Sequence, residues 1–473
     1  MRRHAPARRL LTASLAAGLL TTGLLTAGAE AGTTAGATTE AVSTEAAAAP
    51  AAAPRAPTRD ARPGDDFNGD GYRDYANAVP DSAAGAVEIV YGGPEGPGLR
   101  TQTVDQDTPG VPGGNERGDD FGGHLAAADF DGDGYGDLAV GAAYEEWGGA
   151  RYQGNVTLLW GSPDGLRSGT TLPNTDPAPW GLFGRELAAG DFDGDGTPDL
   201  AVINRSTTYL YTGGLDREDG LADGGRVVPL KRDDLHAKAL VAGRVTGSAA
   251  DDLVVIGGLD GRPDASSGAW FVKGGATPDP GPLLRLKSTA ASGFPVTGTV
   301  ADFDADGFGD IALGHPYADD EAGELVIWPG GPAGPTSSVT FEQGKDLPGV
   351  WERGDHLGSV VSAGDVDGDG RADLALGLEG EDTLGMTDTG GFFVLYGSPG
   401  GITAARAQWL DLAAKGVDRP TMSAARFGSQ VRLRDADGDG HADVFADGLL
   451  FPGSANGVVT VHPRGTIRAG FVN

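Results

Sequence analysis

Six short stretches of this chain put carboxylate or carboxamide oxygens at positions one, three, five and nine of a nine-residue run, with glycine at position six. They are Asp66, Asn68, Asp70 and Asp74; Asp129, Asp131, Asp133 and Asp137; Asp191, Asp193, Asp195 and Asp199. The later three are Asp302, Asp304, Asp306 and Asp310; Asp365, Asp367, Asp369 and Asp373; and Asp435, Asp437, Asp439 and Asp443. Position seven varies freely (Tyr72, Tyr135, Thr197, Phe308, Arg371, His441), as expected where only a main-chain carbonyl contributes. Oxygen-only donors suit a hard cation, and Ca2+ accepts the number that such a loop and water supply. Glycine lets the backbone turn sharply around the ion. The expectation is about six bound Ca2+. An EF-hand is excluded, because the last acidic residue falls at nine rather than twelve and no helical pattern flanks the loop. A seventh copy, Arg244 to Asp252, has Arg244, Thr246 and Ser248 where carboxylates should stand, and no ion is expected there.

The loops recur with a fixed surrounding pattern. Their first residues, 66, 129, 191, 244, 302, 365 and 435, lie 53 to 70 residues apart, a period that marks propellers, solenoids or arrays. Before each loop from the second onward runs a short segment such as Phe121–Ala128. An apolar run such as Leu138–Gly141 follows. Then come a segment ending in glycine (Val87–Gly92, Val156–Gly161, Phe393–Gly397) and a fourth after a turn (Leu99–Val104, Ser338–Phe341). No helical period is sustained, so each unit reads as a four-stranded antiparallel blade. Seven blades favour an all-β, seven-bladed β-propeller, whose ring leaves only short protected edges. The last fourth strand is expected at Val458–His462. The chain before Asp66 carries no strand pattern, so residues 466–473 are expected to dock as the missing inner strand of the first blade.

Phe-Gly before the loop (Phe121-Gly122, Phe183-Gly184, Phe427-Gly428), the loop itself, and Val-Gly-Ala-Ala143 or Leu-Gly-His-Pro316 after it resemble FG-GAP repeats over residues 65–473. That family includes the propeller of integrin α subunits and recurs in secreted bacterial proteins. The resemblance implies calcium in the loops joining first and second strands on one face, and ligand contacts on the opposite face. Three departures stand out. Blade four lacks the metal loop, His356-Leu357-Gly358 replaces Phe-Gly, and the seventh unit has almost no loop after Asp443. Integrin function is not implied, since no stalk, transmembrane segment or partner subunit is visible.

The 473 residues carry 35 Lys and Arg against 67 Asp and Glu, a net charge of −32, with 81 Gly, 30 Pro and no Cys. That charge argues against nucleic acid, which calls for clustered basic residues. The lack of cysteine removes disulfides, thiolate zinc sites and thiol catalysis. Four arginines in residues 1–9, an apolar run to Gly28 and small residues through Ala31 read as a signal peptide over 1–31. Residues 32–64, rich in Ala, Thr and Pro, read as a disordered linker. No other stretch is apolar enough to span a membrane.

The motifs of nucleophile elbows, zinc proteases and nucleotide loops are absent. Arg117-Gly118-Asp119 and Arg353-Gly354-Asp355 spell an adhesion tripeptide, but both sit in a repeated Glu-Arg-Gly-Asp turn. The better candidates for ligand contact are Tyr144, Trp147, Arg151, Tyr152, Trp180, Tyr317 and Trp351, on long connections away from the acidic loops. The expected protein is an exported, non-enzymatic adhesion or recognition module. It would act as a monomer, extracellular or associated with the cell wall, and meet a glycan or protein. The alternatives are a hydrolase or polysaccharide lyase using the propeller mouth, or an envelope protein without a specific ligand.

Overall fold

The computed structural model describes residues 64–79, 82–146, 149, 151–259, 267–286, 296–417, 419–460, 464–465 and 471. The signal segment, the linker before Gly64 and all of 466–473 except Phe471 lie outside them. The described residues form one compact unit. Its described strands make seven antiparallel sheets, six of four strands and one of three, each with its strands in sequential order. The seven-bladed propeller is therefore as expected.

Blade one has three described strands, Tyr75–Ala78, Val87–Gly93 and Gly96–Val104. Blades two to seven open with the inner strands Phe121–Ala128, Leu187–Gly190, Leu235–Gly243, Thr297–Ala301, Leu357–Gly364 and Val431–Arg434. These lie side by side around the axis. The second and third strands of blade two, Asp137–Ala142 and Asn155–Trp160, are buried throughout, whereas the outer strand Ser168–Thr171 is not. Middle strands are covered by a neighbouring blade on each face, so their sequences read as continuous apolar runs rather than alternating ones.

The core is divided among the seams. Phe67, Val87 and Ile89 of the first repeat pack with Phe121, Leu138 and Val140 of the second, and comparable clusters fill each later junction. Among the described residues the cluster at the junction of blades seven and one is the smallest: Tyr75, Val90, Ala436, Phe445, Leu450 and Phe471.

The Phe-Gly pair works at these seams. Phe121 and Phe427 form parallel bridges to Gly85 and Gly390 of the preceding blade. A Cβ on Gly122 (φ +92) would stand 2.8 Å from the Ala86 carbonyl oxygen. Leu357 makes the same bridge, to Gly323, and is fully buried. The departure at His356-Leu357-Gly358 thus keeps the packing and changes only the side chain.

The outer strand of blade seven differs from expectation. Leu449–Phe451 pairs with Arg464–Gly465, and of the expected 458–462 strand residues 461–462 lie outside the described residues. Pro452 and Gly453 end the third strand after three residues, and the chain folds back at once, Val459 N–H bonding the Pro452 carbonyl at 2.8 Å. Residues 458–460 therefore lie outside the ladder.

Candidate metal centre

In six loops one hydrogen-bond scheme repeats. The position-six glycine N–H donates to the position-one aspartate at 2.8–3.0 Å. The position-seven N–H donates to the position-five carboxylate over the same range. Glycine at position six holds φ between 86° and 94° in all of them, which explains its invariance in this chain. Carboxylate oxygens of Asp129, Asp131 and Asp137 lie within 4.8 Å of one another. So do those of Asp191, Asp193 and Asp199, and of Asp302, Asp304 and Asp306.

Like charges this close need a counter-ion. Arginines supply part of it: Arg217 grips Asp131 and reaches Asp133 at 2.6 Å, and Arg406 meets Asp367 at 2.9 Å. Arg226 stands 3.4 Å from Asp193. Still, one buried oxygen of Asp129 and one of Asp367 have no hydrogen-bond partner. The donor set and the orphaned oxygens fit a hard divalent ion.

Position nine is the most buried, and there the sequence reading was incomplete. Its outer oxygen accepts the N–H of the glycine ending the third strand (Gly92, Gly161, Gly213, Gly330, Gly397 or Gly453) at 2.8–3.2 Å. Its other oxygen accepts the position-two N–H, as Asp137 does from Phe130 at 2.9 Å. That glycine is required by close approach, since a Cβ on Gly161 would fall 2.2 Å from the Gly136 carbonyl oxygen. Burial, reinforced by the neighbouring aspartates, lifts Asp137 to about 8 and Asp74, Asp199, Asp373 and Asp443 to about 7, although backbone donors pull the other way.

The 244–252 loop keeps this clamp without the cage. Asp252 accepts from Thr246 N–H at 2.7 Å and Gly274 N–H at 2.9 Å, while Arg244 lies 3.4 Å from Asp251. Retention of Asp252 after loss of the other carboxylates was the signal that position nine has a structural task.

Since successive hairpins alternate ends, the second-to-third and blade-to-blade connections lie on the face opposite the acidic loops. There the structure brings together Tyr144, Arg151, Tyr152 and Trp180. Tyr152 meets Tyr144 at 5.6 Å and Trp180 at 4.8 Å, both edge to face, and the Arg151 guanidinium lies 5.4 Å from the Tyr152 ring centroid. Trp180 is 58% exposed. Tyr317 instead stacks near His356 at 4.9 Å, and Trp351 is exposed without a recorded ring contact to that cluster. Trp147 lies outside the described residues. Asp119 and Asp355 of the Arg-Gly-Asp turns are buried, so neither tripeptide is displayed. A shaft of about 800 Å3 runs along the inner strands, lined chiefly by Ala, Gly and Val, with His124, Glu186, Lys238 and Arg432 as its titratable side chains.

The FG-GAP repeat family matches residues 121–159, 183–227 and 357–395. The chain is an integrin-like FG-GAP β-propeller. Phosphatidylinositol-glycan-specific phospholipase D of Rattus norvegicus is 33% identical over 159 residues, 32% of this chain and 18% of that protein. Integrin alpha-PS2 of Drosophila melanogaster is 26% identical over 223 residues, 43% of this chain and 16% of that protein. The matches thus span less than a fifth of these relatives. A solved Agrocybe aegerita lectin, described for recognition of non-reducing terminal N-acetylglucosamine, aligns with a TM-score of 0.45 at 14% identity, covering 81% of this chain and 88% of its own. Among the described residues no helix is long and apolar enough to cross a membrane.

Proposed function

We propose that this propeller is an exported, calcium-stabilised recognition module. Ca2+ held by the six acidic loops rigidifies one face, and a glycan or protein ligand binds the other. The observation that carries the reading is the repeated loop geometry, in which converging carboxylates keep buried oxygens without partners. Position one, three and five oxygens and the position-seven carbonyl supply the ligands; position nine adds an oxygen while tying the loop to the third strand. The exposed Tyr144 and Trp180, with the half-buried Tyr152 between them and Arg151 beside it, suit stacking on a sugar ring or an apolar side chain.

The test has two arms. Melting temperature is measured in calcium and in chelator, with a marked rise in calcium expected; equal values would refute the metal reading. Binding to immobilised glycans and extracellular proteins is then compared for the unaltered chain and Trp180→Ala. A specific ligand lost in the variant supports the recognition surface, and retention at full affinity removes it.

A further inference from the structure

The face opposite the acidic loops carries two further clusters of carboxylates, built alike at separate seams. At the first, oxygens of Glu116, Asp119 and Glu145 lie within 4.8 Å of one another. Asp119 and Glu145 are each 3% exposed. The Gln106 side chain, itself 2% exposed, sits among them, its Nε2 donating to Glu145 Oε2 at 2.7 Å. Its carbonyl oxygen, Oε1, has no hydrogen-bond partner.

The second cluster repeats the arrangement. Gln343 Nε2 donates to Glu381 Oε2 at 2.8 Å, and Gln343 Oε1 again has no partner. Asp355 takes the place of Asp119, each accepting the backbone N–H three residues earlier, from Glu352 at 2.7 Å and Glu116 at 2.8 Å. Glu116 and Glu352 lie at the exposed mouths of the two clusters.

A charge comparison separates these clusters from the acidic loops. Several loop carboxylates are gripped by arginines. Among the described residues, no Lys or Arg is recorded in an ion pair with Glu116, Asp119, Glu145, Glu352, Asp355 or Glu381. In each cluster three mutually repelling carboxylates gather beside a carboxamide whose oxygen is unpartnered, with no Lys or Arg paired to them among the described residues, which makes a candidate oxygen-only cage. Such a cage suits Ca2+, whose coordination tolerates mixed carboxylate and carbonyl donors.

We infer that each of these two clusters is a second type of Ca2+ site, ligated by Gln106, Glu116, Asp119 and Glu145 in one and by Gln343, Glu352, Asp355 and Glu381 in the other. The ions would lie on the face of the long connections, tying the connection that enters a blade to the loop between its second and third strands. Burial together with mutual repulsion, which lifts Asp119 to about 6 and Glu145 and Asp355 to about 7 without an ion, accords with a missing counter-charge. This assignment is independent of the loop ions.

Bound calcium per chain is measured by elemental analysis after dialysis at saturating Ca2+, with folding followed by circular dichroism. Glu145→Gln/Glu381→Gln should lose two equivalents relative to the unaltered chain. Glu116→Gln/Glu352→Gln, at exposed positions that leave folding untouched, should weaken the same two equivalents at limiting calcium. Asp129→Asn/Asp131→Asn should remove a loop ion and leave those two in place. Unchanged stoichiometry and affinity in both glutamate pairs would overturn the assignment and mean that protons hold these clusters together. If the loops bound nothing, the loss of two equivalents would still be read.

Discussion

Position nine of the acidic loop clamps the loop to the third strand and, on the proposed reading, also ligates Ca2+; blade four keeps the clamp alone. Asp252 ties its loop to Gly274 where no cage remains, so removing it should act on folding alone. Asp252→Ala should cost about 2–4 kcal/mol, the order expected when buried donors lose a charged acceptor. The loss should be equal in calcium and in chelator, as read by urea unfolding. Asp137→Ala should cost more in calcium than in chelator, because there a metal ligand goes too. The same residues set a pH dependence. Asp137 rises from its ordinary 3.8 to about 8, so the native state favours the proton. Its contribution is full below the ordinary value and lost as pH climbs through the raised one. In chelator, melting temperature should therefore fall across that interval. Saturating calcium, which binds the ionised form, should flatten or reverse the slope.

At the scale of the element, loop and blade are separable. Blade four forms its complete sheet on an altered loop, so a metal cage is an addition to the blade rather than its foundation. Arg244→Asp, Thr246→Asp and Ser248→Asp together with Ala249→Gly should install a cage there, glycine being needed for the φ near +90° that position six adopts elsewhere. The expected result is one additional equivalent of calcium, counted by titration. The Phe-Gly strand is less forgiving. Phe121 is 1% exposed at a seam, and Phe121→Ala should destabilise by about 3–5 kcal/mol in denaturant unfolding.

The molecule as a whole is a ring of seams, and among the described residues its closing seam has the smallest cluster. Six buried side chains make up that cluster. Arg434 crosses there, paired with Asp65, its guanidinium 5.1 Å from the ring centroids of both Tyr75 and Phe471. Burial lowers Arg434 to about 9, so this contact carries a desolvation cost, offset by Asp65 and by the Asp74 carbonyl, which accepts from Nη1 at 3.3 Å. Opening of the ring should begin there. Hydrogen exchange is expected to be faster in blades seven and one than in blade three, and Phe471→Ala should widen the difference while lowering the melting temperature. Uniform protection around the ring would contradict this.

Much was legible in the chain itself. The period, the loop spacing and the glycine-ended apolar runs sufficed for seven four-stranded blades, because each repeat states its own turn chemistry and burial pattern locally. The loss of the repeated loop geometry in blade four could likewise be read from three missing carboxylates. What the sequence could not carry depends on neighbours distant along the chain. That Asp137 reaches Gly161 is set by strand pairing within its blade, whereas the meeting of Arg434 with Asp65, and the platform shared by Tyr144 and Trp180 while Trp351 stands elsewhere, are set by the stacking of blades. The same holds for Gln106, which looks like an ordinary surface glutamine until Glu145 closes over it. Local spacing determines which groups are present. Only the closed ring decides which of them are buried together, and burial is what turns a carboxylate into a clamp, a ligand or a liability.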